Sequence, residues 1–164
     1  MAWTGVPAGA QSLVLIVDDP DAPDPQAPRM TWVHWVLFNI PPDVNALPEG
    51  VTAGGLPPGS MEGLNDWQRI GYGGPCPPVG RHRYFHKLYA LDTVLPAMDR
   101  PAKQDVEAAM QGHVIAQAEL VGHRKIAVRQ HGGAQTVFAA SAGNLLGFVG
   151  ADSNDCDAAL LELG

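Results

Sequence analysis

Glycine and proline interrupt this chain so often that long helices have little room to form. The sequence holds 19 Gly and 15 Pro among 164 residues. Proline removes a backbone donor, and glycine weakens helices and strands alike. Between these interruptions lie apolar runs of strand length, bounded by turn-forming residues. The residues therefore predict a single domain of short strands and many turns.

Three segments carry the strand signal most clearly. They are SLVLIV (Ser12 to Val17), WVHWVLFNI (Trp32 to Ile40) and HRYFHKLYALD (His82 to Asp92). The second segment is apolar on both faces, which predicts covering layers on each side. Strict alternation places Trp32 and His34 on one face of it and Val33 and Trp35 on the other. The same rule puts His82 and Tyr84 on one face of the third segment.

Two further segments complete the predicted secondary structure. DRPAKQDVEAAMQGH is the one convincing helix signal, with Asp99 as the predicted cap, Pro101 in the first turn and Gly112 at the end. Residues His113 to Gly122 alternate loosely and predict another strand. Pro41 to Asp66 is predicted to be a loop that is too long to be idle in a compact domain.

The charge balance excludes some classes of partner. A net charge of -7 gives no electrostatic support for a nucleic-acid or membrane-surface role. No apolar run approaches the roughly 20 residues that span a bilayer, and no signal peptide is visible. Two cysteines, Cys76 and Cys156, are too few for a disulfide scaffold and are expected to be reduced thiols. We expect a soluble cytoplasmic protein with no nucleic-acid partner.

Polar side chains lie near the ends of the predicted strands. Asp19 follows the first strand, His34 and Trp32 lie in the second, and His82 and Tyr84 begin the third. Each has an ordinary explanation, such as a turn-forming aspartate or a core histidine bonded to a carbonyl. Together they permit three chemistries: a metal site, acid–base catalysis or an anion cavity lined by N–H and O–H donors. The residue types alone leave all three open.

The segment GPCPPVGRHRY, Gly74 to Tyr84, joins a rigid loop to a polar strand start. Its glycines allow close backbone approach, and its prolines hold the loop stiff. Cys76 is interpreted as a small packed residue rather than a nucleophile. We interpret this loop as one wall of an anion-binding pocket, with the upstream VDDPDAP segment as the other wall.

Three motifs, LVLIVDDPDAP, TWVHWVLFNIP and GYGGPCPPVGRHRYFHKLYALD, occur in this order from Leu13 to Asp92. They resemble the phosphatidylethanolamine-binding / Raf kinase inhibitor-like family, in its bacterial branch. The resemblance, which covers Trp3 to Gly122, implies an all-β sandwich of two antiparallel sheets with Greek-key connections and a few short peripheral helices. It implies a non-enzymatic protein, without metal or cofactor, that binds a phosphate-like anion or phospholipid headgroup and modulates a kinase or protease. One alternative is a hydrolase or metal-dependent enzyme that uses Asp19, His34 and His82, and a second is a protein-interaction module in which the pocket is vestigial.

Motif position carries the family's ligand-binding residues onto this chain. The resemblance assigns that role to Asp19, Pro23, Trp32, His34, Gly74, Cys76, His82 and Tyr84. It assigns no catalytic and no metal-binding residue.

The chain departs from the family at both ends. Members usually carry early strands before the segment that starts here with AWTGVP, and an absent first strand would leave a sheet edge bare. Members of the bacterial branch tend to end soon after the segment that is His113 to Gly122 here, so the last forty or so residues lie beyond the resemblance. The predicted organisation is therefore a domain over residues 1–122 and a C-terminal extension over 123–164. The oligomeric state stays open, with a homodimer as one option.

Overall fold

The structure, a computed structural model, describes residues 1–125. The strands are β1 (Ser12–Ala22), β2 (Met30–Ile40), β3 (Met61–Glu62), β4 (Arg81–Leu91) and β5 (Val114–Lys125), with a helix α1 (Lys103–Met110) and a short 3-10 turn (Ala53–Gly55). The predicted strands are all present. The first of them, predicted to end at Val17, continues through the Asp-Pro segment to Ala22.

The five strands form one antiparallel sheet in the order β3-β2-β1-β4-β5. Strands β1, β2 and β3 are neighbours in sequence and in space, and β4 returns to lie on the other side of β1. This arrangement is a Greek key, so the predicted all-β class and its Greek-key connection are confirmed. The described residues form one sheet where the resemblance implied two.

Both faces of this sheet bury apolar side chains, as predicted for β2. One face, here called the site face, packs a cluster that includes Leu15, Trp35 and Leu88. The opposite face, here called the helix face, packs Ile16 against Val106 of α1. Each fully buried aliphatic side chain contributes about 1.5–3 kcal/mol, so the sheet is held from both sides.

A β-bulge in β2 changes the side-chain alternation around His34. Val17 pairs with Trp35, but the next residue of β1, Asp18, pairs with Val33, so β2 has one extra residue at this point. Val33 consequently joins the helix-face cluster, whereas Trp35 joins the site-face cluster. The prediction that Val33 and Trp35 share a face is wrong, because one extra residue reverses the alternation.

Helix α1 begins after the predicted cap. Ala102 occupies the N-cap position, and its N–H donates to the Asp105 carboxylate at 2.9 Å. The prediction that Asp99 caps the helix is wrong because Pro101 disfavours a helical conformation at the residue before it, and Arg100 has a φ of 47°. The acidic residue that supports the helix start is instead Asp105, in the first turn.

Lys103 of α1 reaches a carboxylate buried under the helix. Asp18 is fully buried, and its carboxylate lies 2.5 Å from Lys103 Nζ and 2.9 Å from Lys87 Nζ. Burial by itself lowers the pKa of Lys103, but the hydrogen bond and charge of Asp18 outweigh this and raise that pKa. The two lysines therefore hold α1 and β4 to β1.

Replacing Lys103 by methionine is expected to lower the free energy of unfolding by about 1–3 kcal/mol, because it removes a hydrogen bond to a buried charge while keeping most of the apolar stem. Urea unfolding monitored by circular dichroism measures the loss. Gln104→Met, at an exposed neighbour on the same helix, is the matched control. Equal unfolding midpoints for the two variants would contradict the role of this contact.

The ends of the described region bear on domain organisation. The boundary predicted at Gly122 lies within β5, whose pairing with β4 continues to Lys125. Residues 126–164 lie outside the described residues, so the C-terminal extension stays a prediction. Within residues 1–125, no helix is long and apolar enough to cross a membrane.

Candidate functional site

A buried Asp–His pair joins the end of β1 to the start of β4. Asp19 Oδ2 lies 2.6 Å from His82 Nδ1, and His82 Nε2 lies 2.9 Å from the carbonyl oxygen of Val79. The other carboxylate oxygen of Asp19 accepts the N–H of Asp21 at 2.8 Å. His82 is 0% exposed and Asp19 is 3% exposed. Each side-chain polar atom of the pair is therefore hydrogen-bonded within the protein, as a buried charge requires.

This pairing bears on the ligand-binding role predicted for His82. A carbonyl oxygen can only accept, so His82 Nε2 carries the proton shared with Val79. With Nδ1 committed to Asp19, a direct hydrogen bond from His82 to a ligand would require one of these two bonds to break. The geometry favours a different task, in which His82 ties the proline loop to the sheet through Val79.

His34 lies at the β2 bulge and is bonded on one side only. Its Nδ1 donates to the Gly73 carbonyl at 2.7 Å, and the Gly73 N–H donates back to the His34 carbonyl at 2.9 Å. Burial lowers the pKa of His34, and this effect outweighs the hydrogen bond and the nearby carboxylates. The imidazole is therefore neutral at pH 7, with a lone pair on Nε2. Within residues 1–125, no hydrogen-bond partner of that nitrogen is found.

Aromatic rings surround His34 and form a continuous wall. The rings of Trp67 and Tyr84 each lie with their centroid 5.2 Å from that of the imidazole, edge to face. Trp32 contacts Trp67 at 5.2 Å in the same manner, and the His82 ring stacks on Tyr84 at 6.5 Å. Edge-to-face pairs at these separations are favourable. The structure thus brings together Asp19, Trp32, His34, His82 and Tyr84, as the sequence predicted.

Sequence reasoning missed Trp67, which lies just past the predicted loop. Asn65 fixes its turn, because the Asn65 side-chain oxygen accepts the N–H groups of Trp67 and Arg69 at 3.0 and 3.1 Å. Gly73 leaves room for the indole, since a Cβ there would lie 2.3 Å from Trp67 Cζ3. The sequence signal that could have identified Trp67 was a large aromatic residue beside an Asn-Asp turn and before a glycine-rich run.

The indole N–H groups of Trp32 and Trp67 are buried without an acceptor among residues 1–125. An indole nitrogen can only donate, and leaving a buried donor unpaired costs about 1–3 kcal/mol. Both donors belong to the ring wall beside His34. An electron-rich group bound at that wall would satisfy them.

The other predicted residues lie in the two loops beside the rings. Gly74 directly follows Gly73, whose carbonyl accepts the His34 N–H, and Cys76 lies two residues after Gly74. Pro23 lies two residues before Pro25, and a Cβ at Gly80 would lie 2.8 Å from Pro25 Cγ. The loop after β1 and the loop before β4 are therefore in contact, although no contact of Pro23 or Gly74 with the rings is found within the described region.

Cys76 does not have the state expected from the sequence. It is disulfide-bonded, so the expectation of a reduced thiol is wrong at this position. A low cysteine count argues against a disulfide scaffold but not against a single bridge. Cys156 lies outside the described residues.

Asp19, His34 and His82 do not offer a shared set of free ligand atoms. Three of the four ring nitrogens of the two histidines are committed to protein acceptors. Across residues 1–125, no group of three or more His, Cys, Asp or Glu side chains is spaced to hold a metal ion. This arrangement gives the metal-site alternative no geometric support.

A cleft of about 420 Å³ opens elsewhere, between β2, the 64–68 loop and α1. It borders Val33 on the helix face, so it is separate from the ring wall, and it was not predicted. Its charged side chains are engaged: Asp66 Oδ2 accepts the Val33 N–H at 2.7 Å, and Lys103 contacts Glu107 at 3.6 Å as well as Asp18. This cleft is therefore not the predicted site.

The described residues thus combine a Greek-key β-sheet with a polar, ring-lined site where β1, β2 and β4 meet. The same fold occurs in a phosphatidylethanolamine-binding-protein homologue from Chlamydia trachomatis, at TM-score 0.69 and 41% identity over 77% of this chain and 79% of that one. The family profile described as "Phosphatidylethanolamine-binding protein" matches residues 1–125, and the chain belongs to that family.

Two further relatives agree with this assignment. The chain is 55% identical over 123 residues to a UPF0098 protein of Methanothermobacter thermautotrophicus, covering 74% of this chain and 78% of the relative. It is similar to Escherichia coli YbcL, a structure described as a member of the mammalian family, at TM-score 0.67 and 37% identity over 77% and 78% of the two chains. The predicted family and its bacterial branch are confirmed.

Proposed function

We propose that this protein is a non-enzymatic binding protein whose ring-lined site takes a phosphate-like anion, either free or within a phospholipid headgroup. The observation that carries the proposal is the presence of two buried indole donors, on Trp32 and Trp67, beside a histidine with one free nitrogen. Phosphate oxygens are strong acceptors that match such donors. Family membership supports the same role.

The Asp19–His82 pair removes an obstacle to anion binding. A lone carboxylate at the site would repel a phosphate group. Asp19 is 2.6 Å from His82, and the two groups together carry no net charge, whether the shared proton lies on nitrogen or on oxygen. Asp19 therefore does not act as a lone negative charge against an anion at this site. Because both members are already fully bonded, the pair supports binding rather than proton transfer to a substrate.

The wider role in this proposal is modulation of a kinase or protease pathway in the cytoplasm. This role rests on the resemblance to the Raf kinase inhibitor-like family alone. The anion site is the part of the proposal that the geometry of the described residues supports.

Binding of a phosphodiester is expected to strengthen as the pH falls below about 6.5. Burial holds the pKa of His34 below its ordinary value, and an anion next to Nε2 favours the protonated form and raises that pKa. At a pH between the pKa of His34 in the free protein and its higher pKa in the complex, binding takes up a proton. Over that range the affinity increases by at most about tenfold for each unit by which the pH falls. Calorimetric titrations with dimethyl phosphate and with glycerophosphoethanolamine separate a free anion from a headgroup.

His34→Gln is the control for this pH dependence, because glutamine can still donate to the Gly73 carbonyl but does not titrate. The variant is expected to bind with an affinity that does not change with pH. A wild-type affinity that is also constant between pH 5.5 and 8 would show that His34 stays neutral in the complex. Failure of both probes to bind would overturn the proposed function itself.

A further inference from the structure

The backbone ladder between β1 and β4 stops before either strand ends. Its last pair is Asp18 with Phe85, although β1 continues to Ala22 and β4 begins at Arg81. Beyond that pair, side chains of β1 replace the ladder. Asp19 holds His82, and two residues further on Asp21 holds Arg83.

The Asp21–Arg83 contact is a multiple, charge-assisted one. The carboxylate of Asp21 accepts the backbone N–H of Arg83 at 2.9 Å, its Nε at 2.9 Å and its terminal NH2 group at 2.6 Å. Asp21 is 4% exposed, and the Arg83 side chain, 51% exposed, covers it from the solvent side. The hydrogen bond from Arg83 holds the pKa of Asp21 below its ordinary value. Bidentate arginine–carboxylate pairs of this kind hold the two side chains in one orientation, in addition to the attraction between their charges.

Asp21 is in turn bonded to the site. Its backbone N–H donates at 2.8 Å to the Asp19 oxygen that does not contact His82. Pro20, between the two aspartates, restricts the backbone that joins them. A continuous series of hydrogen bonds therefore runs from Arg83 through Asp21 and Asp19 to His82.

We propose that Asp21 and Arg83 are a positioning pair that holds the Asp19 carboxylate against His82. Through His82 the pair would also position the Val79 end of the proline loop and the Tyr84 ring. Neither member contacts the ring wall, so the pair acts on a ligand only through Asp19 and His82. Its effect on ligand affinity rests on the proposed function, but its effect on His82 does not.

The test compares Arg83→Lys with Arg81→Lys in the full chain. Lysine keeps the charge but loses the bidentate fork, and Arg81 is an exposed residue of the same strand with no ion pair found in residues 1–125. The primary readout is the His82 ring proton between Nδ1 and Asp19, followed by proton NMR of protein with 15N-labelled histidine. In Arg83→Lys we expect this proton to move upfield and to exchange with solvent at least about tenfold faster, because weakening its hydrogen bond by about 1.4 kcal/mol raises the open, exchanging fraction tenfold.

Affinity for glycerophosphoethanolamine is the second readout. It is expected to fall roughly tenfold in Arg83→Lys, at the lower end of the range for lost orienting partners, and to be unchanged in Arg81→Lys. If the wild type does not bind this probe, the proposed function fails, while the ring-proton comparison still decides the positioning role.

Asp21→Asn is a second variant, because asparagine keeps an acceptor for the Arg83 N–H and loses the charge. It should move the ring proton in the same direction. A His82 ring proton that is unchanged in both Arg83→Lys and Asp21→Asn, even with a lower melting temperature, would overturn the proposal and leave the pair a purely structural one.

Discussion

Replacing Asp19 by alanine is expected to lower the free energy of unfolding by about 3–5 kcal/mol, the usual cost of removing one partner of a buried ion pair. His82 is fully buried and would keep only its bond to the Val79 carbonyl. Its Nδ1 would then be buried without the Asp19 partner, and the Asp21 N–H would also lose its acceptor. Urea unfolding gives the free energy, and calorimetry should show the melting temperature reduced by about 10 °C.

Asp19→Asn is the matched control for that loss. An asparagine can accept the Asp21 N–H through its oxygen and donate to a neutral His82 through its amide, so both contacts keep a partner. We expect it to cost no more than about 1–1.5 kcal/mol, since a neutral hydrogen bond replaces a charge-assisted one. Equal losses in the alanine and asparagine variants would show that the hydrogen bonds at this position contribute little to stability.

Gly73→Ala is expected to destabilise the protein by about 1–3 kcal/mol, as overpacking a well-packed site does. It should also weaken phosphodiester binding by at least about tenfold, since the loss of a single good contact already has that effect. The added Cβ would lie 2.3 Å from Trp67 Cζ3 and 2.7 Å from Cε3. Hydrogen bonds to His34 hold Gly73 on both its N–H and its carbonyl. The indole therefore has to move, and Trp67 contacts both Trp32 and His34.

Near-ultraviolet circular dichroism follows the tryptophan rings in this variant, and calorimetric titration with glycerophosphoethanolamine follows the site. Gly54→Ala is the control, because a Cβ at that position meets nothing within 4 Å. We expect it to match the wild type in both measurements. Gly73→Ala with an unchanged dichroism spectrum and an unchanged affinity would contradict the assignment of Trp67 to the wall.

Local patterns explain how much of this protein could be predicted before its structure. The strand segments follow from apolar runs between Gly and Pro, because burial on a sheet face needs only short-range alternation. His82 and Tyr84 share a face of β4 for the same reason. The order of the DPDAP and GRHRY motifs was enough to identify the family, since motifs of that length rarely recur together by chance.

The details of the site depend on contacts that no local pattern contains. Asp19 and His82 are 63 residues apart, so their pairing with each other, rather than with a ligand, follows only from the return of β4 beside β1. Trp67 reaches His34 because Asn65 turns its loop and Gly73 leaves space for the ring. The bulge at His34 depends on how β2 pairs with β1, and it moved Val33 to the opposite face from the one predicted.

The amino-acid sequence by itself thus determined the strands, the family and the set of polar residues that meet at one end of the sheet. Each of these is encoded in side chains that are close together along the chain. The tertiary structure decided which polar groups at that end are left without a partner among the described residues. The unpaired donors are the indole N–H groups of Trp32 and Trp67, beside the unbonded Nε2 of His34, whereas both ring nitrogens of His82 are bonded within the protein, because a polar group is free only if no distant part of the fold has already bonded it.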